Sequence, residues 1–135
     1  MTKKIDHIGM IVKDLDVSIT NYTSKLGLEV KEIEEIEVEG AKERLAFIPV
    51  GDTTIELIGT SAEKGIAADF LKEHGEGIHH IAIQVEDIDQ IFKDLKSKGV
   101  KFAWDRVIER GPGTKIAFFE AKEFNGVLIE LVERR

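Results

Sequence analysis

Ile5-Asp6-His7-Ile8-Gly9-Met10-Ile11-Val12-Lys13-Asp14-Leu15-Asp16 and Ile78-His79-His80-Ile81-Ala82-Ile83-Gln84-Val85-Glu86-Asp87-Ile88-Asp89 are the two stretches that decide the fold. Six of the twelve aligned positions are identical, and His7 falls on His80, 73 residues on. A second match follows in the same order. Thr54-Ile55-Glu56-Leu57-Ile58 resembles Leu128-Ile129-Glu130-Leu131-Val132, which pairs Glu56 with Glu130 at a separation of 74. Two separate matches at nearly one offset mark an internal duplication.

Working outward, each half reads as one βαβββ unit. Alternation predicts strands over 5–12 and 79–85, and spacings of three and four predict helices over 15–25 and 88–98. Asp14 and Asp87 precede the helices, where a carboxylate accepts from free backbone N–H groups. Gly27 and Gly99 follow them, where a left-handed residue ends a helix. Strands are expected at 28–38, 44–49 and 53–58 in the first half, and at 101–104, 114–119 and 126–132 in the second. The expected class is α+β, one domain over 1–135. It consists of repeat one (1–59), a linker (60–77) with a short helix at 66–73, and repeat two (78–135). Two such units are expected to form curled mixed sheets around a metal cavity.

Strand periodicity then sorts the polar residues. His7 shares a face with Gly9 and Ile11, and His80 with Ala82 and Gln84. Both histidines turn away from an apolar face, and each has a small neighbour. Glu56 and Glu130 each stand between an isoleucine and a leucine, so each carboxylate faces away from the aliphatic layer. A lone strand histidine is usually a packed or surface residue, and a strand glutamate is usually solvated. Duplication of both types at matched places argues for function. Two imidazoles and two carboxylates suit one divalent metal ion, with cobalt, zinc, nickel, manganese and iron not distinguished. His7, Glu56, His80 and Glu130 are therefore the expected ligands. His79 and His74 are read as structural and exposed, and Lys31 to Glu39 as a solvated strand edge.

Composition narrows the partners. The chain has 135 residues, 42% apolar and 33% charged, as an ordinary globular domain has. A net charge of -7 argues against nucleic acid, which demands a basic face. With no cysteine there is neither a disulfide nor a thiolate ligand, which fits a reducing, cytoplasmic setting. No signal segment and no apolar run long enough for a membrane span is read.

With these residues in hand, the chain resembles the vicinal oxygen chelate superfamily and, within it, the methylmalonyl-CoA epimerases. Ile5-Asp6-His7-Ile8-Gly9, Glu39-Gly40-Ala41-Lys42-Glu43, Gly75-Glu76-Gly77-Ile78-His79-His80-Ile81-Ala82, Lys98-Gly99-Val100 and Gly126-Val127-Leu128-Ile129-Glu130-Leu131 carry the likeness. The resemblance implies a glyoxalase-like fold, a homodimer and an acyl-CoA substrate. The implied reaction is epimerisation of a 2-carboxyacyl-CoA, methylmalonyl-CoA first, by 1,1-proton transfer through a metal-stabilised enolate. It implies that Glu43 is an acid–base group beside the metal, with Glu130 serving the opposite face of the α-carbon. Epimerases commonly carry a His-Pro-Lys-Asp run where this chain reads Glu120-Ala121-Lys122-Glu123, and a longer loop than Gly111-Pro112-Gly113. The alternatives are a glyoxalase I-type lactoylglutathione lyase, acting on a methylglyoxal–thiol adduct, and a metal-free binding member of the superfamily.

Overall fold

A computed structural model describes residues 2–38 and 40–135, so Glu39 of the charge run and the Glu39-to-Glu43 motif lies outside the described residues. The elements are β1 (Thr2–Val12), α1 (Leu15–Leu26), β2 (Glu32–Val38), β3 (Ala41–Val50), β4 (Thr53–Thr60), α2 (Ile66–His74) and β5 (Gly77–Val85). They continue with α3 (Ile88–Ser97), β6 (Ile108–Glu109), β7 (Thr114–Phe118), a 3-10 turn (Ala121–Phe124) and β8 (Ile129–Arg134). The strands are hydrogen-bonded in the order β2-β3-β4-β1-β5-β8-β7-β6. The α+β class holds. Contacts divide the chain into two compact units, Ile8–His79 and a second made of Met1–His7 with His80–Arg135.

In the unit Ile8–His79, Asp14 caps α1 by accepting from the Val17 N–H, and Gly27 closes it at φ 69°. The antiparallel registers of β2 with β3 and of β3 with β4 sort the side chains by parity. Val12, Ala46, Ile48 and Leu57 pack with Leu15, Ile19 and Tyr22 of α1. Ile11, Leu45 and Ile58 take the other face, where Ala67, Phe70 and Leu71 of α2 cover them. Gly59 is where α1 meets β4: a Cβ there would lie 3.2 Å from that of Leu15. The expected first strand of 28–38 begins only at Glu32, although Leu28 and Val30 still pack on the core.

In the unit of Met1–His7 and His80–Arg135, β5 pairs parallel with β8, and β7 runs antiparallel to β8. Val85, Ala117 and Leu131 pack under Ile88 and Phe92 of α3. Asp87 caps that helix through the Gln90 N–H. Ala82, Ile116 and Val132 form the opposite layer, with Trp104 and Phe118 against it.

Two expected strands of the second half are also corrected. Residues 101–104 reduce to a single bridge, Phe102 to Phe119, and the short β6 at Ile108–Glu109 takes the next ladder position. The reason is packing. Phe102 stacks on Phe119 in the α3 layer, whereas Trp104 sits edge-on to Phe118 in the other layer. Residues two apart on a regular strand share a face, so the backbone must leave strand geometry between them. The last strand begins at Ile129 rather than at residue 126. Asn125 and Gly126 are left-handed, at φ 58° and 88°, and end the 3-10 turn there.

Candidate metal centre

Three of the four expected ligands meet inside one unit. His7 comes from β1, His80 from β5 and Glu130 from β8. The register sets Glu130 beside Ala82 on one side and Phe118 on the other. A methyl group at position 82 leaves room for the carboxylate, and the His80 ring meets Phe118 edge-on at 5.4 Å between centroids. All three residues are withdrawn from solvent, with exposures of 2% for His7, 4% for His80 and 0% for Glu130.

The donor atoms form a small triangle. His7 Nε2 lies 3.1 Å from His80 Nε2 and 3.1 Å from Glu130 Oε1, and His80 Nε2 lies 3.6 Å from the same oxygen. Ligands about 2.1 Å from one ion stand roughly 3.0 Å apart at a right angle and about 3.4 Å apart at the tetrahedral angle. Two imidazole nitrogens and a carboxylate oxygen at this spacing therefore fit a divalent ion. Burial of ionisable groups is costly unless they are partnered, and here the Glu130 carboxylate faces both imidazoles. Burial works against the Glu130 charge, but the hydrogen bond from His7 and the positive charges of His80, His7 and Arg110 outweigh it. Its carboxyl is held below the ordinary 4.5.

Behind His7 stands a group that strand periodicity did not single out. His7 Nδ1 lies 2.7 Å from Asp6 Oδ2, and the Arg134 guanidinium donates to both Asp6 oxygens, at 2.9 and 2.8 Å. Burial tends to raise the Asp6 carboxyl. Hydrogen bonds from His7 and Arg134, with the Arg134 charge, overcome that and hold it well below the usual carboxylate range. The one available signal was a carboxylate next to an expected ligand. Arg134 gave none, being 128 positions away.

Glu56 and Glu43 belong to the other unit. Both are buried. Glu56 of β4 stands opposite Phe47, and Glu43 of β3 opposite Thr60. By parity both lie on the face away from α1. Glu43 is set back four residues from Phe47, about 13 Å along an extended strand. It lines a cavity of about 540 Å³ with Asp14, Glu35, Lys42, Arg44 and Thr60, a size within the range of small-molecule sites. His79 meets Phe70 edge-on, as a packed residue would, and His74 is exposed beside the same ring, as expected of it.

The family model of the Glyoxalase/Bleomycin resistance protein/Dioxygenase superfamily matches residues 4–131. The ethylmalonyl-CoA/methylmalonyl-CoA epimerase of Cereibacter sphaeroides is 32% identical over 133 residues, covering 97% of this chain and 98% of that protein. The crystal structure of methylmalonyl-CoA epimerase from Mycobacterium tuberculosis aligns with a TM-score of 0.87 at 34% identity. The alignment covers 99% of this chain and 89% of that one. A variant of Streptomyces coelicolor methylmalonyl-CoA epimerase in complex with 2-nitronate-propionyl-CoA aligns with a TM-score of 0.87 at 32% identity, covering 99% and 96%.

Proposed function

Because the chain belongs to the Glyoxalase/Bleomycin resistance protein/Dioxygenase superfamily, we propose that it is a metal-dependent epimerase of a 2-carboxyacyl-CoA thioester, with methylmalonyl-CoA as substrate. The observation that carries this reading is the buried triangle of His7, His80 and Glu130 in a chain about a third identical to named epimerases. Glu56 is the fourth ligand in this proposal, by its equivalence to Glu130 in the duplicated sequence. A bound divalent ion would supply positive charge against the charge that develops when the α-proton leaves. The protein's own part is to hold and move that proton. Glu43, ionised, takes it on one face of the α-carbon, and the second oxygen of Glu130 delivers a different proton, drawn from solvent, on the other.

The acyl-CoA ligand is supported by the relative whose complex contains 2-nitronate-propionyl-CoA. A homodimer in the cytoplasm completes the proposal. Among the described residues no helix is long and apolar enough to cross a membrane. The test pairs two substrates on one preparation supplied with Co2+, Zn2+, Ni2+, Mn2+ or Fe2+ in turn. Single-enantiomer methylmalonyl-CoA in deuterated water is expected to racemise with solvent deuterium entering the α-position. The methylglyoxal–glutathione adduct is expected to stay unchanged. Turnover of the adduct with an inert thioester would transfer the site to the lyase reading.

A further inference from the structure

We propose that Asp6 and Arg134 form a positioning pair that holds His7 in the orientation metal binding requires. This rests on the metal reading above. The imidazole has two nitrogens, and a ligand histidine can present only one of them to the ion. Which one is free depends on what binds the other. Here Nδ1 lies 2.7 Å from Asp6 Oδ2, so Nδ1 is the donor nitrogen and Nε2 the one aimed at Glu130 and His80.

Asp6 alone would be a poor anchor, because a carboxylate can turn about its own side chain. Arg134 removes that freedom. Its Nε donates to Oδ1 at 2.9 Å and its Nη2 to Oδ2 at 2.8 Å, a two-point grip that fixes the plane of the carboxylate. Oδ2 thus serves Arg134 and His7 together. Asp6 is buried, whereas the Arg134 side chain is 43% exposed. The pair therefore runs from the surface to the buried imidazole in two steps. β8 supports the site twice, once through Glu130 and once through Arg134 acting on Asp6. Ligand histidines generally donate their second N–H to such a partner, and loss of the partner typically weakens metal affinity by about 10–100-fold.

The experiment uses Co2+ as the probe, on the full chain and on the variants Asp6→Ala and Arg134→Gln. The readouts are Co2+ affinity by titration, melting of the metal-free proteins, and exchange with solvent of the His7 Nδ1 proton in the Co2+-loaded form. The expected result is a slowly exchanging proton in the unaltered protein and loss of that protection in Asp6→Ala. Affinity should fall by about 10–100-fold in Asp6→Ala. Arg134→Gln, which leaves His7 and Asp6 in place, should move both readouts the same way by less. A folded Asp6→Ala protein with unchanged affinity and unchanged proton exchange would overturn the proposal. If Asp6→Ala does not fold, unchanged readouts in Arg134→Gln overturn it instead. Failure of the unaltered protein to bind Co2+ or any of Zn2+, Ni2+, Mn2+ and Fe2+ would remove the metal reading, and this proposal with it.

Discussion

Each residue of the proposed centre should answer substitution in its own way. His80→Ala removes an imidazole for which no neighbour substitutes. Metal content, measured by elemental analysis after dialysis, should fall to background and turnover with it. Glu43→Gln keeps shape but cannot carry a proton. It should lower epimerisation by at least about a hundredfold, as positioned acid–base groups typically contribute 10²–10⁴-fold, while metal content stays at the wild-type level. Glu56→Gln retains an oxygen donor and should keep partial activity with weaker metal affinity. Loss of metal in Glu43→Gln would sink its acid–base role. The proposed ligands stand out in the sequence because His7 and Glu56 are repeated as His80 and Glu130. Asp6 was not, because its counterpart in the duplication is His79, which packs against Phe70 instead. Duplication reveals what the two halves share and hides what only one of them does.

Single elements carry their own expectations. Glu133, on β8, accepts from the N–H of Ile88, the first residue of α3, at 3.0 Å. That backbone hydrogen bond, with Arg135 and Lys115 nearby, outweighs burial and lowers its pKa below 4.5. A carboxyl whose folded pKa is depressed stabilises the fold above its ordinary value and stops doing so as pH falls through the lowered one. Glu133→Gln should therefore cost about 0.3–1 kcal/mol at neutral pH and low salt. The gap from wild type should close as the solution is acidified below pH 4.5. A gap that persists unchanged in acid would show that charge at the helix start is not its cause. Helix ends were the most legible elements, since Asp14, Gly27 and Asp87 act locally. The segment 101–104 was the least. Phe102 and Trp104 look like one face of a strand, yet their partners, Phe119 and Phe118, lie on opposite layers. Such partners are set by tertiary contact, which alternation cannot report.

For the molecule as a whole, a ligand that binds only the folded chain must stabilise it. Saturation with the correct ion at about a hundred times its dissociation constant should add about 2.7 kcal/mol, and a chelator should return the melting temperature to the metal-free value. No response to any of the five ions would count against a metal centre. The duplication was legible, but the way contacts divide the chain was not. The first seven residues group with His80–Arg135 rather than with the rest of their own repeat. That grouping has a consequence during synthesis. At about 5–20 residues per second, roughly 6–25 s pass between addition of His7 and of Glu130. Throughout that interval the nascent polypeptide holds one of the two proposed imidazole ligands, then both, and no β8 carboxylate to meet them. If the proposed centre holds, the ion is acquired after the ribosome has released β8, and a chain stalled upstream of it is expected to retain metal less well than the full chain, as elemental analysis of the two would show.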